Sequence, residues 1–113
     1  MLSICTRKHP WMDTDIVDLK APLPYPDRHW PVTLCMRFVW WLKDGEFQSV
    51  MSELRRVSRA VVYSVRVSEK YGPGLNHKSL AHTPAMVFEA NGGWRVTHCI
   101  DVTRNYRVLR IEP

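Results

Sequence analysis

Residues 32–67 carry the feature that most constrains the fold: an apolar run, an amphipathic segment and a second apolar run follow one another. The first run covers residues 32–42, and the last, residues 60–67, is rich in valine, which favours strands. Between them, residues 44–58 repeat apolar side chains at three- and four-residue steps, which predicts a helix. Strand, helix and strand in this order predict two parallel strands, because parallel strands need a crossover connection.

The helix in this unit has recognisable ends. Asp44 is predicted to be its N-cap, and Glu46 suits the positive end of the helix dipole. Arg55, Arg56 and Arg59 fall in or just after its last turn, where cations are favoured. Its predicted core face consists of five apolar side chains, Phe47, Val50, Met51, Leu54 and Val57.

The flanking segments extend the same α/β pattern. Residues 15–19 predict a short strand, and the prolines at alternate positions after it exclude a helix. Residues 68–79 predict a loop. Thr83 predicts the N-cap of a second helix with proline in its first turn, and Gly92 is predicted to end it.

The C-terminal segment alternates apolar and polar residues. Residues 94–102 place Trp, Val, His, Ile and Val on one predicted face, and residues 106–111 return after a turn. This pattern predicts an antiparallel hairpin.

Four segments resemble the second half of class I S-adenosylmethionine-dependent methyltransferases. They are Asp18-Leu19, the loop Leu23-Pro24-Tyr25-Pro26-Asp27, the strand at residues 33–38, and Glu53-Leu54-Arg55-Arg56-Val57. The resemblance covers about residues 12–113 and implies an α/β, truncated Rossmann-like sheet. In it, parallel strands are closed by a C-terminal antiparallel hairpin and accompanied by two main helices. Residues 1–113 are expected to form one domain, with residues 1–12 as a short strand or arm.

The resemblance also implies a cofactor site and shows where this chain departs from the family. Residues matching Asp18 and Leu19 lie beside the cofactor's adenine in the family, so the implied half-site is Asp18, Leu19, Met36 and Arg37. The family's opening strand and glycine-rich loop have no counterpart, and the chain has no room for them upstream. We therefore expect no bound cofactor, with S-adenosylmethionine as the open alternative.

Two further departures concern side chains of the family's active region. Pro31 stands where the family has an acidic residue, and Trp40-Trp41 replace an acid and a histidine. The two tryptophans are predicted to be one buried and one partly exposed, the exposed part forming an interaction surface. No residues have a recognised metal-binding spacing, and we expect no metal site.

Charge and cysteine content bound the partners and the compartment. The formal net charge is +5, which favours acidic partners, including nucleic acid. The arginines Arg55, Arg56 and Arg59 are interpreted either as helix-end charges or as an interaction cluster. Three cysteines without a paired spacing predict a reducing, cytoplasmic setting. No apolar run is long enough to span a membrane, and no membrane partner is expected.

Three functional hypotheses follow from these features. The first is a non-catalytic, degenerate methyltransferase-like domain that acts as a small basic interaction or inhibitor protein, of a kind found in viruses. It would bind a partner protein or a second copy of itself through the sheet edge at residues 33–38, which lacks the family's neighbouring strand. Its predicted interaction residues are Trp40, Trp41, Arg55, Arg56 and Arg59.

Two alternative hypotheses rest on the family resemblance and on the positive charge, respectively. The second hypothesis is a minimal methyltransferase, or a cofactor-binding protein, completed by dimerisation or by a second subunit. The third is a nucleic-acid-binding module, in which the arginines contribute to salt-dependent binding.

Overall fold

The computed structural model describes residues 22–73 and 79–113. In chain order the elements are β1 (Thr33–Cys35), a 3-10 helix (Val39–Trp41), α1 (Asp44–Val57), β2 (Val61–Arg66), β3 (Gly72–Pro73), β4 (Leu80–Ala81), α2 (Pro84–Asn91), β5 (Arg95–Asp101) and β6 (Tyr106–Glu112). The strand predicted at residues 15–19, the arm at residues 1–12 and the cofactor residues Asp18 and Leu19 lie outside the described residues.

Four strands form the main sheet in the order β1-β2-β6-β5. β1 pairs with β2 in parallel, with Thr33 opposite Val61. β6 lies antiparallel to both β2 and β5, so the chain enters the sheet through a parallel unit and closes it with a hairpin. The predicted architecture, two main helices and a parallel sheet closed by a C-terminal hairpin, is confirmed.

Both helices pack on the same face of this sheet. Val61, Tyr63 and Val65 alternate along β2 and are fully buried, and alternate residues of a strand point to one face. They form one core cluster with Leu109 and Ile111 of β6. From the helices, the same cluster includes Phe47, Val50, Met51, Leu54, Val57, Val87 and Ala90. The predicted apolar face of α1 is therefore the face that is buried.

The opposite face of the sheet carries apolar side chains that no described helix covers. Leu34 is paired with Val62, and Val108 lies opposite Ile100, so these four side chains share that face. Leu34 is 70% exposed and Ile100 62% exposed, while Val62 and Val108 are half-buried. We call these four residues the open face.

The proline-rich loop is fastened to α1 by Arg56. Its guanidinium donates hydrogen bonds to the Glu53 carboxylate, to the Asp27 carboxylate and to the backbone carbonyls of Leu23 and Tyr25. Glu53 in turn accepts a 2.8 Å hydrogen bond from the Leu23 N–H. These contacts hold the proline-rich loop against the last turns of α1.

Arg28 then closes the C-terminal end of the same helix. Its backbone N–H donates to the carbonyl of Arg56, and its guanidinium donates to the carbonyl of Ser58 at 3.0 Å. The guanidinium also lies 4.8 Å from the ring centre of Trp94. A cation at this position complements the negative end of the helix dipole.

The helix ends agree with the sequence in one helix and differ in the other. Thr83 Oγ1 accepts from the Met86 N–H, and Gly92 adopts a left-handed φ of 57°, as predicted for α2. The prediction that Asp44 is the N-cap of α1 is wrong, because the cap is Lys43 and Asp44 is the first helical residue. The Asp44 carboxylate instead accepts from the Gln48 side chain.

Three strand predictions also need correction. The apolar run at residues 32–42 is mostly not a strand, since β1 ends at Cys35 and a 3-10 helix follows. The loop predicted at residues 68–79 contains β3, which pairs with β4. In β5 a bulge falls between Val96 and His98. The extra residue puts Val96 on the face opposite to Ile100, so the predicted single apolar face of residues 94–102 is wrong.

None of the helices in residues 22–73 and 79–113 is both long and apolar enough to cross a membrane.

Replacing Arg56 with Met should lower the midpoint of thermal unfolding by several degrees at neutral pH, because the proline-rich loop loses its anchor. Arg59→Met is the matched control: Arg59 is exposed, and its side chain has no hydrogen bond or ion pair to the described residues. Circular dichroism melts of the two variants and the parent measure the difference. Equal midpoints for all three would show that Arg56 does not hold the loop.

The same comparison has a pH signature. Hydrogen bonds from Arg56 and from the Leu23 N–H lower the pKa of the Glu53 carboxyl below its ordinary 4.5. The stability from this pairing is therefore fully present above pH 4.5 and is lost as the pH falls through the lowered pKa. The difference between the thermal-unfolding midpoints of the parent and of Arg56→Met should therefore become smaller as the pH falls through that range.

Candidate functional site

A cleft of about 720 Å³ lies where the parallel strands β1 and β2 end. The turn between β5 and β6 forms its opposite wall, because β6 runs antiparallel to β2 and begins at the same edge. We call it the basic cleft and define it by six of its lining residues: Arg37, Trp40, Trp41, Arg66, Arg104 and Tyr106. In open α/β sheets, ligands bind outside the carboxyl ends of the strands, which is where this cleft lies.

Arg37 enters the cleft from a strained backbone conformation. Its φ is 58°, in the left-handed region that side chains other than glycine rarely adopt. Its N–H donates to Ser64 Oγ, which belongs to the neighbouring strand β2 and is fully buried. The bond turns the chain sharply after β1 and fixes the backbone of Arg37 at the cleft wall.

Three arginines give the cleft its charge. Arg66, the last residue of β2, donates a hydrogen bond to Ser79 Oγ. Arg37 and Arg104 have no side-chain hydrogen bond or ion pair to any described residue. Among the described residues, the lining of the cleft contains no Asp or Glu. The described lining of the cleft is therefore a concentration of positive charge.

Aromatic rings form much of the remaining wall. Trp40 packs against Tyr106 with 5.2 Å between ring centres and is half-buried. Trp41 is 58% exposed. Of the two, Trp40 is thus the more buried and Trp41 offers its surface to solvent.

The structure brings part of the predicted cofactor half-site together with part of the predicted interaction surface. Arg37 lies in the same cleft as Trp40 and Trp41. Met36 lies beside it at the end of β1 and is 44% exposed.

The three arginines predicted as an interaction cluster, Arg55 and Arg56 in α1 and Arg59 just after it, do not form one surface. Arg56 is held in the loop contacts described above. Arg55 packs over Gly92, where a Cβ would clash with its guanidinium, and burial lowers the pKa of Arg55. Arg59 is exposed, and its backbone N–H donates to the carbonyl of Trp30. Two of the three side chains thus have structural contacts, and Arg59 alone projects into solvent.

Two buried groups with reactive chemistry are held in unreactive states. Burial raises the pKa of the Cys35 thiol to about 11, so it stays protonated at neutral pH. His82 is fully buried against Phe47 and Tyr71, and burial lowers its pKa. Its Nε2 lies 3.1 Å from the Leu42 carbonyl, which fixes it as the donor of a neutral ring. No group of three or more metal-binding side chains occurs in the described part of the chain.

The sequence interpretation did not assign Arg66, Arg104 or Tyr106 to any site. Arg104 was part of a predicted turn and Tyr106 the start of the returning strand. The signal that locates them is topological: a hairpin antiparallel to a parallel strand places its turn at the carboxyl end of that strand.

No protein-family model matches the sequence, and no curated protein matches it. Solved structures do match. An S-adenosylmethionine-dependent methyltransferase of Leishmania major aligns with a TM-score of 0.77 over 99% of this chain and 51% of its own, at 11% identity. Magnesium protoporphyrin IX methyltransferase of Synechocystis, with bound S-adenosylmethionine, aligns with a TM-score of 0.64 over 85% of this chain and 43% of its own, at 17% identity. The [4+2]-cyclase SpnF aligns with a TM-score of 0.66 over 97% of this chain and 60% of its own, at 14% identity.

This chain has a class I methyltransferase-like fold. It spans about half the length of the structures it matches, with 51%, 43% and 60% of their chains covered. The predicted likeness to part of such a methyltransferase is confirmed as a likeness of fold. Because a cyclase shares the methyltransferase-like fold, the fold by itself does not assign a reaction.

The strain at Arg37 is testable with a matched pair of variants. Arg37→Asn and Arg37→Val both remove the guanidinium, but asparagine tolerates a positive φ and a β-branched valine does not. Arg37→Val should be less stable than Arg37→Asn by about 1 kcal/mol. Urea unfolding of both variants measures the difference, and equal stabilities would show that Arg37 is not held in the left-handed conformation.

Proposed function

We propose that this chain is a protein-binding domain with a methyltransferase-like fold, and that it binds its partner through the open face and the free edge of β1. The observation that carries the proposal is the position of Leu34. It lies on the edge strand of the described sheet, on the face opposite both helices, and is 70% exposed.

The open face supports the proposal because of the kind of sheet it belongs to. Sheets built from parallel βαβ units are normally covered on both faces. Here the parallel pair β1-β2 has α1 and α2 on one side, and apolar side chains remain in contact with solvent on the other. A partner that covers them removes apolar surface from water, at roughly 25 cal/mol per Å².

The edge of β1 supplies the directional part of the interaction. The Thr33 N–H donates to the Ala60 carbonyl beside β2. Alternate residues of a strand point their backbone groups to opposite sides, so the Leu34 N–H points away from β2. Within the described residues β1 has a neighbouring strand only on the β2 side. A free edge of this kind can bind an added strand by backbone hydrogen bonds.

These two surfaces meet at Leu34, which defines the partner. A polypeptide that adds a strand beside β1 and lays apolar side chains on the open face would complete the sheet on both counts. The net charge of +5 disfavours a second copy of the chain through repulsion and favours an acidic polypeptide. The proposal therefore takes an acidic, strand-forming polypeptide as the partner, which fits the role of a small basic adaptor or inhibitor.

The sequence supports a role that does not include methyl transfer by this chain alone. No glycine-rich phosphate-approaching loop occurs in the 113 residues, and Pro31, Trp40 and Trp41 replace acids and a histidine of the resembled family.

A second candidate, S-adenosylmethionine binding completed by another subunit, is favoured by one observation. Met36 and Arg37 lie at the carboxyl end of β1, beside the edge that such a subunit would extend.

The test uses nuclear magnetic resonance titration of the labelled chain with an acidic strand-forming peptide of alternating valine and glutamate. We expect the amide signals of Leu34 and Val62 to shift. Leu34→Asp should weaken the binding about tenfold or more, because it places a carboxylate against the peptide valines that the open face would otherwise cover. Phe88→Asp is the matched control, since Phe88 is 79% exposed on α2 and lies away from the open face.

The outcomes separate the candidates. Shifts at Leu34 that are lost in Leu34→Asp and kept in Phe88→Asp support the proposal. Equal effects of the two variants, or shifts confined to the helices, contradict it. S-adenosylmethionine, added in the same way to the free chain, should cause no saturable shift at Leu34, Val62 or Met36. Saturable binding centred on Met36 would favour the second candidate instead.

A further inference from the structure

We infer that the basic cleft binds a small planar aromatic molecule that carries a phosphate or carboxylate group. This site lies at the carboxyl ends of β1 and β2 and goes beyond the protein-binding role proposed for the open face. Its shared ligand chemistry is an aromatic ring joined to an anionic group.

The size and position of the cleft suit a small ligand. Its volume of about 720 Å³ falls in the range of about 300–1,000 Å³ that is usual for small-molecule sites. Four separate segments line it: the turn after β1, the end of β2, Ser79 before β4 and the β5-β6 turn. A cleft that draws side chains from distant parts of the chain, all at one end of the sheet, is placed where α/β folds bind ligands.

The state of its arginines distinguishes the cleft from an ordinary charged surface. Elsewhere Arg56, Arg107 and Arg110 are each paired with a carboxylate at distances of 2.9–3.2 Å. Arg37 and Arg104 share a cleft and have no such partner among the described residues. Guanidinium groups bind phosphate and carboxylate through paired hydrogen bonds, so two unpaired arginines facing one cavity fit an anionic group.

The aromatic wall accounts for the rest of the ligand. Trp40 and Tyr106 pack together, and Trp41 keeps 58% of its surface exposed at the cleft. Aromatic rings prefer offset-stacked or edge-to-face contacts with one another, and a planar ring would cover the exposed indole in this way. A free phosphate would use only the arginines, and a neutral ring only the aromatic residues.

Two features hold the site ready before a ligand arrives. The positive φ of Arg37 is maintained by the bond to buried Ser64, and strained residues of this kind are concentrated at functional sites. The Arg66 guanidinium is oriented by Ser79. Groups fixed in advance lose less conformational freedom on binding.

The experiment follows the five tryptophan indole N–H signals of the labelled chain by nuclear magnetic resonance. The probes are naphthyl phosphate, naphthol and inorganic phosphate, which supply ring and anion, ring alone and anion alone. Trp40→Phe and Trp41→Phe assign the two relevant signals. We expect naphthyl phosphate to shift these two signals saturably, and to bind at least about tenfold more tightly than either partial probe.

Charge variants test the arginines. Arg104→Gln and Arg37→Gln should each weaken naphthyl phosphate binding about tenfold. Arg59→Gln removes the same charge from an exposed position outside the cleft and should leave binding unchanged. Arg104 lies in an exposed turn, and its side chain has no hydrogen bond or ion pair to any described residue, so its variant should keep the fold. An unchanged amide spectrum checks this.

The contradicting results are equally specific. Equal binding of naphthol and naphthyl phosphate, equal weakening by all three arginine variants, or no saturable shift at millimolar probe would overturn the inference. Failure here is distinguishable from failure of the proposed protein-binding role, because the strand peptide is read out at Leu34 and Val62 and the aromatic anion at Trp40 and Trp41.

Discussion

Both described helices cover the same face of the main sheet, and the rest of the structure depends on this one-sided packing. Phe47, Tyr63 and Ile111 are fully buried on the helical side, and the core cluster is complete there without help from the other face. None of the four residues of the open face belongs to that cluster. The proposed partner would cover the apolar side chains that the described helices leave exposed, as sheets built from parallel units are normally covered on both faces.

Arginine serves two different purposes in this domain. Arg28 and Arg56 hold the proline-rich loop against the end of α1, where carbonyls and carboxylates receive their hydrogen bonds. Arg37 and Arg104 face a shared cleft, and neither side chain has such an acceptor in residues 22–73 or 79–113. The net positive charge thus has a structural component and a component available to ligands, and the composition alone does not distinguish them.

Much of the fold could be predicted from local sequence. The apolar spacing of α1, the Thr83 cap and the Gly92 stop each specify one structure through short-range physics, and the structure confirms them. The early end of β1 was not predictable in this way. The positive φ of Arg37 there goes with a hydrogen bond from its N–H to Ser64, 27 residues later, a contact that local sequence does not indicate.

The candidate site was predicted only in part for the same reason. Trp40, Trp41 and Arg37 were identified separately, as an apolar patch and as a family position. These residues lie in one cleft with Arg66 and Arg104 because the order of strands in the sheet brings the β5-β6 turn to the end of β2. The hydrogen bonds of Arg56 go to a loop about 30 residues before it. The favourable position of a cation at a helix end did not indicate this pairing.

Hydrogen exchange of the Leu34 amide tests the central claim most directly. The Leu34 N–H points away from β2, whereas Tyr63 lies in β2 between two hydrogen-bonded strands. In the free chain, the Leu34 amide should exchange at least about 100-fold faster than that of Tyr63, and a bound strand should slow it. A Leu34 amide as protected as that of Tyr63 would contradict the account, because the edge would then already be paired.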